Sequence, residues 1–214
     1  MKFFTVMLSA YLVLSCSNET KKVHYAVENS VVQAKRPEAD LQEVKVKAEE
    51  ALKFCTSKKL STDFCILIDM SLHSGIKRFF VWDFKNRSVS KKYLVGHGCG
   101  SNPWSSDGSR DNPQFSNEDG SHLSSLGKYK LQGRGYSEWG INVKYLMHGL
   151  EETNSNALKR YIVFHSWDKM SDDEVFPKGS PEGWGCPTIS NNAMKEIDPM
   201  IQNSEKPVLM WIYK

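Results

Sequence analysis

Two residues carry the chemical interest of this chain. Cys186 lies in the glycine-rich turn Pro181-Glu182-Gly183-Trp184-Gly185-Cys186-Pro187, and His165 closes the apolar run Tyr161-Ile162-Val163-Phe164. A thiolate is a strong nucleophile that needs a nearby base or cation to form near neutral pH, and histidine is the usual partner. A histidine at the end of an apolar strand stands on a rigid support at the rim of a sheet. A cysteine in a glycine turn presents its sulfur while backbone N–H groups, here those of Gly185 and Cys186, stay available to an oxyanion. The imidazole needs a third group to orient it, and the carbonyl of Ser166 is the candidate. A core histidine and a packed cysteine give the same pattern, so the pair alone leaves a purely structural role open.

The elements that must position this pair follow from local patterning. Residues 17–39 are polar, lack apolar periodicity and contain Pro37, as a tether does. From Asp40, residues Leu41, Val44, Ala48, Ala51 and Leu52 fall near one helical face with charges opposite, which predicts a helix packed on the domain. From Phe64 the texture changes to short β-like runs between turn residues: 64–69, 78–84, 91–96, 127–131, 139–146, 160–165 and 208–213. Residues 154–159 and 190–202 read as short helices, the second with Ser190 as N-cap. The stretch Cys99 to Ser125 is rich in Gly, Ser, Asn and Asp, and a loop that long in a compact domain is usually functional.

The 214 residues suit one domain with a tail, and 40% hydrophobic with 25% charged residues is a globular balance. The formal charge of +3 is small and mixed along the chain, which argues against a nucleic-acid partner. Met1-Lys2 precedes the apolar run Phe3–Leu14, too short to span a bilayer but suited to a signal-peptide core. Val13-Leu14-Ser15-Cys16 resembles a bacterial lipobox, in which Cys16 is lipidated and becomes the mature N-terminus; an ordinary secretory signal is the alternative. Either places the protein in the cell envelope, outside the cytoplasm. There Cys55, Cys65, Cys99 and Cys186 could form two bridges. Cys55 and Cys65 flank a short polar turn and are candidates to pair, whereas a reactive cysteine must stay free.

An ordered series of motifs adds to this reading. Phe115-Ser-Asn, Gly120-Ser, Ser124-Ser-Leu-Gly127-Lys-Tyr129, Gly149-Leu-Glu, Asn154-Ser-Asn-Ala157 with Arg160, Ile162-Val-Phe-His165 and Trp184-Gly-Cys186-Pro follow one another along the chain. Together they resemble the YkuD-like murein L,D-transpeptidase catalytic family in its envelope-lipoprotein branch, over about residues 64–214. The resemblance implies a mainly β fold, a sandwich-like mixed sheet with a few short helices. With the N-terminal readings above, the chain divides into signal peptide over 1–15, lipidated N-terminus and tether over 16–39, packing helix over 40–60 and the catalytic domain that the resemblance implies over 61–214. It assigns Cys186 as nucleophile, His165 as base, Ser166 as the residue whose carbonyl orients it, and Gly185 to the oxyanion. His97, Ser124, Gly127 and Trp184 are expected at the substrate cleft.

Departures and decoys qualify the resemblance. The spacer from His165 to Cys186 is longer than in the wider family, and Trp184 stands where a histidine usually lies. The arginine that usually follows the nucleophile is absent, replaced by Pro187-Thr188-Ile189-Ser190. His97-Gly98-Cys99 mimics a His-Gly-Cys signature, but no strand-borne histidine precedes it, so Cys99 is the second choice of nucleophile. Met147-His148-Gly149 reads as structural or peripheral, and His122 as a solvated loop residue. His97, Cys99, His122, His165 and Cys186 are metal-ligand types without paired ligand spacing, so neither metal nor cofactor is expected. The implied activity is cleavage of the diamino acid–D-Ala bond of peptidoglycan tetrapeptide stems and transfer of the acyl group to an amine. With water as acceptor it becomes a carboxypeptidase; a non-catalytic peptidoglycan-binding lipoprotein is the rival.

Overall fold

The computed structural model describes residues 35–214; the signal-peptide core, Cys16 and most of the tether lie outside the described residues. Ahead of the first helix, the Arg36 guanidinium holds the Glu174 carboxylate, its Nε at 3.1 Å. Helix α1 spans Leu41–Lys58, and Asp40 caps it by accepting from Gln42 N–H at 2.8 Å and Glu43 N–H at 3.3 Å. Its buried face is Val44, Ala48, Ala51 and Cys55. Leu41 and Leu52, expected on that face, sit at its margins, 58% and 37% exposed.

Eight strands follow: β1 (Phe64–Asp69), β2 (Phe79–Asp83), β3 (Ser88–Tyr93), β4 (Gly127–Tyr136), β5 (Val143–Gly149), β6 (Val163–Ser166), β7 (Thr188–Ile189) and β8 (Val208–Tyr213). Helix α2 (Asn191–Gln202) lies between the last two, with Ser190 Oγ accepting from Ala193 N–H at 3.1 Å as its N-cap. The strands form one mixed sheet in the order β3-β2-β1-β8-β4-β5-β6-β7. Pairs β1·β8 and β6·β7 are parallel and the rest antiparallel.

The sheet curls until distant strands face each other. Phe79 on β2 stacks on Phe164 on β6 at 5.7 Å, although four strands separate them in the sheet order. Alternate residues such as Ile66, Val81, Tyr129, Tyr145 and Met210 fill the enclosed core with Ile197 of α2. The opposite face, with Leu67, Phe80 and Trp211, is covered by α1. Cys55 and Cys65 meet in that second cluster as free buried thiols; burial pushes Cys55 up to about 12 and holds Cys65 well above the usual thiol range.

Strand boundaries moved where backbone handedness changes. The run from Arg160 becomes strand only at Val163, because Tyr161 is left-handed at φ 55°. The run from Trp139 becomes strand at Val143, after left-handed Gly140 and Asn142. Residues 154–159 hold no α-helix; a 3-10 helix at Glu152–Asn154 runs into turns. The third strand starts at Ser88 and ends at Tyr93, since Leu94 and Val95 turn into the core. Truncating Phe164 to Ala opens the stacked centre and is expected to cost about 3–5 kcal/mol. Leu158→Ala, at an exposed position, is expected to stay within ~0.5 kcal/mol. Urea unfolding of the two variants measures the contrast.

Candidate active site

His165 sits on β6 between β5 and β7. Parallel pairing sets it opposite Thr188, and Cys186 lies just ahead of that partner. This register brings the two residues to one cavity of about 110 Å³, walled by Trp104, Trp139, Trp167 and Trp184. The ring of His165 is buried, and its Nδ1 lies 2.9 Å from Ser166 O. A carbonyl only accepts, so Nδ1 carries the proton and Nε2 keeps its lone pair. Ser166 is itself held, its Oγ accepting from Ile141 N–H at 3.0 Å. Gly140 packs directly over it, since a Cβ there would stand 2.6 Å from Ser166 O.

Cys186 is partly buried, with Val163 N–H donating to its sulfur at 3.4 Å and its S–H aimed at Tyr161 O at 3.8 Å. The left-handed turn at Tyr161, a residue 86% exposed, is what presents that carbonyl. Gly185 has φ 100°, and a Cβ there would lie 2.7 Å from Leu123 O, so only glycine fits. The N–H groups of Gly185 and Cys186 have no hydrogen-bond partner among the described residues.

Burial pushes the Cys186 thiol up, opposed by the Val163 N–H and by the charges of Arg160 and Lys144. Burial likewise lowers His165, against the raising effect of its Ser166 bond, and Lys144 lowers it further. The resting pair is therefore neutral thiol and neutral imidazole. An imidazole with a free Nε2 lone pair and a protonated thiol thus line one cavity.

The model of the L,D-transpeptidase catalytic domain family matches residues 35–213. The chain belongs to this family. Helix α1 falls within the matched region. Among solved structures, the chain resembles Bd1075 of Bdellovibrio bacteriovorus at 16% identity and TM-score 0.42, covering 73% of this chain and 49% of that one. It resembles an L,D-transpeptidase of Xylanimonas cellulosilytica DSM 15894 (residues 123–326) at 11% and 0.38, covering 72% and 61%. The helical cell shape determining protein Pgp2 of Campylobacter jejuni gives 12% and 0.43, covering 76% and 55%. The chain thus spans roughly half to three fifths of those chains. Comparison with curated proteins gives no match.

In this L,D-transpeptidase domain the stretch without the arginine is strand β7, whose Thr188 and Ile189 pair with His165 and Ser166. Of the residues expected at the cleft, Trp184 lines the cavity and stacks on His122 at 5.2 Å. His122, expected as a solvated loop residue, is exposed in that loop and stacks on the indole from the solvent side. Three expectations are corrected. His97 is fully buried, its ring between Arg78 and Ser109, and reaches no cleft. Ser124 is buried too, its Oγ donating to Gly185 O at 3.0 Å and accepting from Gly98 N–H at 3.1 Å, so it braces the turn that carries Cys186. Gly127 opens β4 against Glu151 and Asn154, away from the cavity.

The decoy Cys99 is buried, its thiol aimed at Gly100 O at 3.7 Å, and it makes no hydrogen bond to an imidazole among the described residues. His148 lies on β5 opposite Lys130, outside the cavity. Arg160 was legible only as a motif residue. It donates to Ser116 O at 2.8 Å and Leu123 O at 2.6 Å, holding that loop against Gly185. No group of three or more metal-ligating side chains occurs among the described residues. Because the Cys186 thiol is raised, its alkylation by iodoacetamide is expected to climb with pH and still be rising at about 8.5, the ordinary cysteine value. A stopped-flow or mass-spectrometric pH series checks this; a flat rate down to acid pH would mark a thiolate–imidazolium pair instead.

Proposed function

We propose that this domain is a cell-wall L,D-transpeptidase acting on peptidoglycan tetrapeptide stems through Cys186. The observation that supports it best is His165, whose Nδ1–H is occupied by Ser166 while Nε2 remains free in the cavity that holds Cys186. Hydrogen bonds of catalytic pairs are often long in unliganded sites, and a turn about Cα–Cβ would carry the thiol from Tyr161 O toward Nε2. His165 then takes the thiol proton as sulfur attacks the carbonyl of the L-centre of the diamino acid. The oxyanion meets the free N–H groups of Gly185 and Cys186. Collapse breaks the C–N bond, and D-alanine leaves with the proton held on His165.

The resulting thioester passes to an acceptor amine, whose proton His165 accepts while the thiol is restored. Four indole walls restrict water at the thioester, which favours amine over water. The lipobox-like Cys16 would tether the domain to a membrane at the cell envelope. No helix among the described residues is long and apolar enough to cross one.

Purified disaccharide-tetrapeptide muropeptides, analysed by mass spectrometry, test the proposal. Loss of terminal alanine with cross-linked dimers is expected. Replacing His165 with Ala is expected to slow turnover about 10²–10⁴-fold, and Cys186→Ala to abolish it. Tripeptide alone would mean a carboxypeptidase, and binding without product would leave a non-catalytic module. Turnover that survives Cys186→Ala but is lost in Cys99→Ala would move the nucleophile.

A further inference from the structure

Among the described acidic, basic and histidine side chains, three have no exposure at all: Arg78, His97 and Glu182. Isolated buried charges are costly unless paired and hydrogen-bonded, and these three form one directed chain. Arg78 Nη2 lies 2.8 Å from His97 Nδ1. A guanidinium only donates, so Nδ1 accepts and the ring proton sits on Nε2. Nε2–H donates to Ser109 Oγ at 2.9 Å, and the Ser109 hydroxyl donates to Glu182 Oε1 at 2.9 Å. A cation at one end and a carboxylate at the other polarise every link in the same sense.

The chain joins two pieces of the cleft to the frame. At the Arg78 end, Nη1 and Nη2 also donate to Leu72 O at 2.9 Å and Val95 O at 3.1 Å, beside strand β2. At the other end Glu182 opens the turn that leads to Cys186. Its carboxylate takes Ser109 N–H at 2.6 Å, while its backbone N–H donates to Ser106 O at 2.8 Å and its carbonyl accepts from Ser105 N–H at 2.9 Å. Trp104, a wall of the Cys186 cavity, sits immediately before Ser105. The loop that bears the wall and the turn that bears the nucleophile are therefore stitched together at Glu182.

We infer that Glu182, reached through His97 and Ser109, is a positioning residue that sets the distance of the Trp104 wall from Cys186 and so the affinity for donor peptide. The thiol chemistry itself runs through His165. This rests on the transpeptidase reading for the identity of the donor, and the test separates the two.

The dissociation constant of a disaccharide-tetrapeptide is measured by calorimetry in a Cys186→Ala background, where no turnover is needed. Adding Glu182→Gln, or the milder Ser109→Ala that keeps both charges, is expected to weaken binding about tenfold. The Glu182→Gln change is expected to add less than twofold once Trp104→Ala is present, because its effect passes through that indole. In the protein with Cys186 intact, the pH midpoint of iodoacetamide alkylation is expected to be the same with and without Glu182→Gln. Additive losses with Trp104→Ala, a shifted midpoint, unchanged affinity, or no donor binding in the Cys186→Ala background would each overturn the inference. Failure of the functional reading shows separately, as wild-type protein that binds donor and releases no alanine.

Discussion

The parallel pairing of β6 with β7 is the constraint on which the site depends. It fixes Thr188 opposite His165 and Ile189 opposite Ser166, and so brings Cys186, across a long loop, to the cavity that His165 lines. The same two strands pin the loop that carries His97, since Gly96 N–H donates to Thr188 O at 2.8 Å. A two-residue strand is weak alone. It holds because α2 begins immediately after it, with Ile189 and Ala193 in the enclosed core. The curl of the sheet closes that core, setting Phe79 against the Phe164 that precedes His165.

Electrostatics then separates the two roles. The Cys186 thiol and the His165 imidazole are both pushed toward their neutral forms by burial, so the two do not rest as a charged pair. The imidazole is oriented by a backbone carbonyl rather than a carboxylate, which leaves its basicity modest and its tautomer defined. Charge is concentrated instead behind the cleft, in the Arg78–His97–Ser109–Glu182 chain. There a buried cation and carboxylate offset each other and organise loop against loop.

Much of this was legible in the sequence where the signal is local. Apolar runs such as Phe64–Asp69 and Val208–Tyr213 are buried throughout and formed strands as read. The caps Asp40 and Ser190 did what their side chains permit. The family emerged from ordered motifs, and the match covers nearly the whole described chain. What failed was non-local. Strand β7 is too short to show periodicity and exists only because its partners are present. His97 read as a cleft residue because its neighbours His-Gly-Cys suggest chemistry. Its burial is decided by Arg78 and Glu182, far away in sequence. Ser124 and Gly127 were grouped with substrate on the family motif they share, though their partners are the turn that carries Cys186 and Asn154. Left-handed Tyr161 and Asn142 ended strands where side-chain pattern alone continued them.

The central claim is that Cys186 forms the acyl bond with His165 as its base. Rapid acid quenching of the protein mixed with tetrapeptide donor, followed by peptide mapping, tests it most directly. The account requires the acyl tripeptide on the peptide containing Cys186, accumulating faster in wild type than in His165→Ala. Acyl on Cys99, or equal accumulation in both proteins, would contradict it.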